Sequence, residues 1–212
     1  MSANIHKDQP LLKAGIPIEE AKRAMILLHG RGATAESILD LAELLPQEDM
    51  TYLAPQAAFS RWYPNSFLAP LEQNEPDLSF ALERVDEIVQ SLLAQNFKAE
   101  NIWLAGFSQG ASLTAEYVAR NPRRFGGLMI FSGGLIGPLE SSQQRLPVME
   151  YDGMPVFIGC SDTDPHIPLA RVRETAAFFK AGKAHVDLQI YPGMDHTIIQ
   201  DELDRAMKLL SD

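Results

Sequence analysis

Gly106-Phe107-Ser108-Gln109-Gly110 stands between an apolar run, Ile102 to Ala105, and a stretch of small residues that begins at Ala111. That order predicts strand, sharp turn and helix. A serine at such a turn is held in a strained backbone geometry, which lifts its hydroxyl clear of the sheet and points the first N–H groups of the helix at whatever it attacks. With no Cβ at Gly106 or Gly110, strand and helix can approach closely. Five residues alone decide little, since about 0.1 such matches arise by chance in a chain of this length. Their surroundings must carry the weight.

Upstream, Ala24 to His29 reads as a buried strand ending at Gly30-Arg31-Gly32, and the next helix places Ile38, Leu41, Ala42 and Leu45 on one face. Thr51 to Ala54 is a second short strand, closed by Pro55. A long loop rich in aromatic residues and proline follows from Phe59 to Pro76, and loops of that length in compact domains are functional or mobile. Leu78 to Leu93 keeps a strict helical rhythm of apolar residues with charges opposite. The Ser108 turn comes next, then a helix to Arg120 that Asn121-Pro122 stops.

Beyond it, Gly127 to Phe131, Pro155 to Gly159 and Val186 to Tyr191 read as strands, with a loop from Gly133 to Pro147. Helices are expected from Leu169 to Ala181 and over the final segment, where Ile199, Leu203, Ala206, Met207 and Leu210 share a side. Residues 1–22 show no strong period and predict an edge strand or a covering arm.

This alternation predicts an α/β fold, a mostly parallel, doubly wound sheet covered on both faces, because strands so apolar leave neither face in water. At 212 residues a single domain is expected. Ligands of such sheets sit beyond the carboxyl ends of the strands, where the loops at Gly30, Ser108, Gly159 and Pro192 all begin.

A net charge of −10 argues against nucleic acid or a stable association with an anionic membrane. Cys160 is the only cysteine, so no internal disulfide can form, and core packing is its expected role. Charged residues interrupt the first twenty positions, and no apolar run approaches a membrane span, which makes a cytoplasmic location the default expectation.

A serine hydroxyl becomes a useful nucleophile only when a base takes its proton and an acid orients that base. Of five histidines, His6, His29 and His185 read as structural or surface residues, which leaves His166 and His196. His196 follows the last strand and precedes the last helix, where a base is needed. For the acid, Asp162, Asp164 and Asp195 compete. Asp195 adjoins His196, and adjacent side chains on a loop rarely face each other; Asp164 leads into the rigid turn Pro165-His166-Ile167-Pro168 and is favoured, with Asp162 as a local turn former. The order Ser108, Asp164, His196 then follows. A calcium loop starting at Asp162 is excluded, because Ile167 and Arg173 stand where glycine and glutamate are required. An oxyanion would be met by backbone N–H groups of Gln109 and, through the flanking glycines, Arg31.

With these residues assembled, the chain resembles the phospholipase/carboxylesterase family of α/β-hydrolases, which includes acyl-protein thioesterases and small bacterial carboxylesterases. The resemblance rests on four ordered motifs: His29-Gly30-Arg31-Gly32, Gly106 to Gly110, Asp164 to Pro168, and Gly193-Met194-Asp195-His196. It implies Ser108 as nucleophile, Asp164 as acid, His196 as base and oxyanion donors at Arg31 and Gln109. It also implies a three-layer α/β-hydrolase fold, no metal or organic cofactor and, in many members, a homodimer. The chain departs at Arg31 and Ala33, where better-known thioesterase members carry an apolar residue and then an acid. Either the Arg31 side chain points to solvent while its N–H works, or its charge meets a polar or acidic acyl group. Trp62, Tyr63, Phe67 and Leu68 either line an acyl pocket or pack their loop onto the core.

The function so implied is a serine carboxylic-ester hydrolase acting on a small-molecule ester with a small or medium acyl group. The alternatives are acyl-protein thioesterase or lysophospholipase activity, amide hydrolysis, and a ligand-binding protein that keeps the hydrolase scaffold.

Overall fold

In a computed structural model, residues 3–139, 147 and 150–211 are described. The loop expected from Gly133 to Pro147 therefore lies partly outside the described residues. Seven strands form one sheet: β1 (Leu11–Gly15), β2 (Arg23–Leu28), β3 (Met50–Pro55), β4 (Ile102–Phe107), β5 (Gly127–Phe131), β6 (Pro155–Ser161) and β7 (His185–Tyr191). Their spatial order is β1-β3-β2-β4-β5-β6-β7. Only β1 runs antiparallel, on the β3 edge; all other pairs are parallel.

Among the described residues the α-helices are α1 (Ala35–Leu44), α2 (Asp77–Ala94), α3 (Gln109–Arg120), α4 (Leu169–Ala181) and α5 (Gln200–Ser211). Side chains alternate across a strand, so β2 feeds two cores. Ala24, Ile26 and Leu28 pack with the apolar stripes of α2, α3 and α4, whereas Met25 and Leu27 pack with Ile38 and Leu41 of α1 and Leu203 and Ala206 of α5. The sheet is thus covered on both faces. Helix α1 starts where Thr34 caps the N–H of Ser37 and the Ser37 hydroxyl returns the contact to Thr34. Helix α2 buries the stripe its sequence period marks, from Leu78 to Leu92. None of the helices among the described residues is long and apolar enough to cross a membrane.

From β2 the chain winds outward to β3, then crosses back to β4 on the other side and continues to β7. Between β2 and β4 the winding direction reverses, which leaves a crevice beyond the carboxyl ends of those two strands. The register pairs Leu28 with Gly106, so the Gly30 turn and the Ser108 turn emerge side by side.

Close approach at this point demands glycine. A Cβ on Gly106 would lie 2.5 Å from the Gly110 carbonyl carbon, and one on Gly110 would overlap the carbonyl oxygen of Leu28. Backbone cannot swing away as a side chain can. Gly110→Ala is therefore expected to cost about 3 kcal/mol, the upper part of the range for overpacking, read as a lower urea midpoint with an unchanged denaturant slope. A variant as stable as the parent would show that α3 has room to move off β2.

Candidate active site

Ser108 joins β4 to α3 with φ 55° and ψ −118°, an uncommon conformation for a residue with a side chain. Its N–H donates to Phe131 O of β5 at 2.9 Å, and its carbonyl accepts from Ser112 N at 3.0 Å to begin the helix. The serine is therefore pinned from both sides. Two other loops reach it. Asp164 follows β6 and His196 follows β7, and the structure brings all three together: His196 Nδ1 is 2.6 Å from Asp164 Oδ2, and His196 Nε2 is 2.9 Å from Ser108 Oγ. A carboxylate only accepts, so Nδ1 carries the proton and Nε2 is free to accept from the Ser108 hydroxyl.

The Asp164 side chain is fully buried. Burial opposes its ionisation, but the hydrogen bond from His196 and the amides of His166 and Ile167 outweigh it and hold its pKa below the ordinary carboxylate value. Those amides lie 2.8 and 3.0 Å from Oδ1. Asp164 is thus a charged, fully engaged orienter of the imidazole. Asp162 has another use: its carboxylate accepts from Gly193 N at 2.8 Å and ties the Asp164 loop to the His196 loop. Cys160 is buried as expected, with its thiol 3.9 Å from Asp164 Oδ2, and burial followed by that neighbouring charge pushes its pKa up to about 12. It is not poised to act as a nucleophile. His166 is exposed and stands edge-on to the His196 ring, which is flanked also by Phe107.

Arg31 and Gln109 each do two things. Among the described residues neither backbone N–H has an acceptor, whereas the next amide, Gly32 N, is taken by Ser60 O at 2.7 Å. Both side chains meanwhile hold the loop opposite. Gln109 Oε1 accepts from Trp62 N and its Nε2 donates to Tyr63 O, both at 2.9 Å. The Arg31 guanidinium donates to the carbonyls of Tyr63, Pro64 and Asn65 at 3.0, 2.8 and 2.7 Å. Arg31 is exposed and borders the cavity beside Ser108, and its guanidinium has a further use that neither expectation included: its five fixed donors suit a row of carbonyls.

Beside Ser108 opens a cavity of about 480 Å³ that Tyr63 and Phe67 border, together with Pro64, Asn65 and Ser66. Two of the expected lining residues are corrected. Trp62 is completely buried, donating its indole N–H to His29 O at 2.8 Å, and Leu68 packs against the core. Both are spent on anchoring the loop. The sequence reading also missed how much else holds it. His6 accepts from Ala58 N and donates to Trp62 O, while His29 accepts from Ala57 N and donates to Gly30 O. In each ring one nitrogen accepts a backbone N–H, which only a neutral imidazole can do, and burial pushes both pKa values down in the same sense. Buried Asn74 closes the far end through Asn65 N and Ser66 O.

A profile of the phospholipase/carboxylesterase family matches residues 14–212. The chain belongs to this family. A crystal structure of a phospholipase/carboxylesterase from Dyadobacter fermentans is 41% identical, covers 97% of this chain and 98% of its own, and superposes with a TM-score of 0.90. Acyl-protein thioesterase 1 of Saccharomyces cerevisiae is 27% identical over 91% of this chain and 93% of its own length. Arabidopsis thaliana SOBER1, 20% identical with a TM-score of 0.73 over 90% of this chain and 98% of its own, shares the fold. The protein is a hydrolase of the carboxylesterase and acyl-protein thioesterase kind with an α/β-hydrolase fold, and its mostly parallel sheet and flanking helices follow that plan.

One further residue of this family member bears on the site. Glu202, in the first turn of α5, is wholly buried; Oε2 accepts from Ile199 N at 2.9 Å, and Oε1 has no partner among the described residues and abuts Gly159. Its carboxyl thereby wedges between the strand that leads to Asp164 and the segment that follows His196. Burial raises its pKa to about 7, against a single amide donor. The fold then binds a proton that the unfolded chain has released, so this group's contribution is complete below the unfolded pKa near 4.5 and is lost as pH rises to about 7. Glu202→Gln keeps an acceptor for Ile199 and removes the titration. Its stability relative to the parent is expected to rise by a few kcal/mol between pH 5 and pH 8 in urea unfolding. A constant difference across that interval would show that Glu202 does not titrate there.

Proposed function

We propose that the protein is a serine carboxylic-ester hydrolase that cleaves small or medium acyl esters through an acyl-enzyme. The single observation that carries this reading is the unbroken contact Asp164–His196–Ser108, at 2.6 and 2.9 Å, beside the two unengaged amides of Arg31 and Gln109. As Ser108 Oγ bonds to the carbonyl carbon, its proton passes to His196 Nε2 and the carbonyl π electrons move onto oxygen. That oxygen turns toward the two amides, which need no reorganisation to receive it. Asp164, held ionised, stabilises the imidazolium. Collapse of the intermediate breaks the bond to the leaving oxygen or sulfur, which takes the proton from Nε2. Water, deprotonated by His196, then attacks the acyl-enzyme and restores Ser108.

The same steps serve an oxygen ester and a thioester, in keeping with relatives named for both activities. The tethered Tyr63–Phe67 loop supports a bounded acyl site, since the cavity it borders holds about 480 Å³.

On a short-chain chromogenic ester, Ser108→Ala is expected to lower kcat by about 10⁶-fold and Asp164→Asn by about 10⁴-fold, with circular dichroism unchanged. Near-normal turnover by purified Ser108→Ala protein would overturn the assignment. A single burst without further cycles would point instead to a binding protein.

A further inference from the structure

Two cavities meet at His196. The first contains Ser108 and Gln109 and follows the loop from Tyr63 to Phe67. The second, of about 370 Å³, lies between α1 and the segment entering α5, with Ile38, Leu41, Leu44, Phe107, Ile198 and Leu203 among its walls. Gly30, Ala33, Phe107 and His196 border both, so the two adjoin at the imidazole. Ile38 and Leu41 are buried in the core, but Leu44 is 51% exposed, one of few large apolar side chains left so among the described residues. Asp40 stands at the border of this second cavity and opposes an anionic occupant.

Reaction geometry separates the roles of the two spaces. In the tetrahedral intermediate the carbon is bonded to Ser108 Oγ and its oxyanion faces the Arg31 and Gln109 amides, so the leaving atom must come within hydrogen-bond reach of His196 Nε2 to receive its proton. Whatever hangs from that atom runs out along the imidazole. The first cavity contains the nucleophile and an oxyanion donor and is the acyl side. The second shares the imidazole but includes neither Ser108 nor Gln109.

We propose that the second cavity is the leaving-group site, and that it selects alcohols or thiols bearing an uncharged apolar chain. This rests on the esterase reading above and adds the substrate half that reading leaves open. No new chemistry is required: the chain enters an apolar space before the bond to its oxygen or sulfur breaks, and it leaves protonated by His196.

Two ester series test it, acetates of straight-chain alcohols from methanol to hexanol and methyl esters of acids of matching length, each with the parent and with Leu44→Lys. Leu44 is half exposed, so the substitution does not disturb the core. Burial of each added methylene is expected to raise kcat/KM of the parent roughly fourfold along the alcohol series. Leu44→Lys is expected to flatten the alcohol series while the acyl series keeps its slope, and to weaken competitive inhibition by free 1-hexanol about tenfold. A flat alcohol series in the parent, or a variant that flattens the acyl series instead or both equally, overturns the leaving-group site while leaving the esterase reading intact. No turnover of any ester by the parent overturns the esterase reading, and the site with it.

Discussion

The backbone contact between the first turn of α3 and the last residues of β2 is the constraint on which the rest depends. Gly110 lies against the Leu28 and His29 carbonyls with no space for a Cβ. That proximity brings the start of a helix, with its unsatisfied N–H groups, to the one place where the sheet reverses its winding. It also sets the Gly30 turn beside Ser108, which brings the loop after β2 and the start of α3 together. Strain at Ser108 is held in place by β5 on one side and α3 on the other.

Two buried carboxyl groups flank this arrangement and answer to the same physics with opposite results. Asp164 has two amides and an imidazole to offset the loss of water, and it stays charged. Glu202 has one amide and favours its proton. The number of donors each loop supplies makes the difference. Only the first is suited to support a positive imidazole; the second serves better as a neutral wedge under the loop that carries it.

Much of this was legible in the chain itself. Apolar runs and helical periods give β2 to β7 and the five helices, because burial leaves a strong local signature; β1, half-exposed at the sheet edge, lies in a segment with no strong period, where an edge strand was only one of two expectations. Ser108, Asp164 and His196 were found by their places at strand ends, which topology brings together. Less legible were the tethers. Trp62 and Leu68 look like lining residues by composition, yet whether an aromatic or aliphatic side chain faces a cavity or the core depends on partners such as His29, 33 positions away from Trp62. Arg31 read as solvent or substrate contact for the same reason. Glu202 drew no expectation from the chain, and only the packing of α5 on β6 reveals it as enclosed.

The side-chain contacts of Arg31 and Gln109 have a consequence beyond the proposed chemistry. Their side chains grip the segment that borders the cavity beside Ser108. In most scaffolds a binding loop can diverge as an independent cassette, altered by insertion or exchange without touching the chemical machinery. Here the loop and positions 31 and 109 form one mechanical unit. An apolar side chain at position 31 would release three carbonyls of that segment at once, so the loop's sequence and these two positions cannot be altered independently.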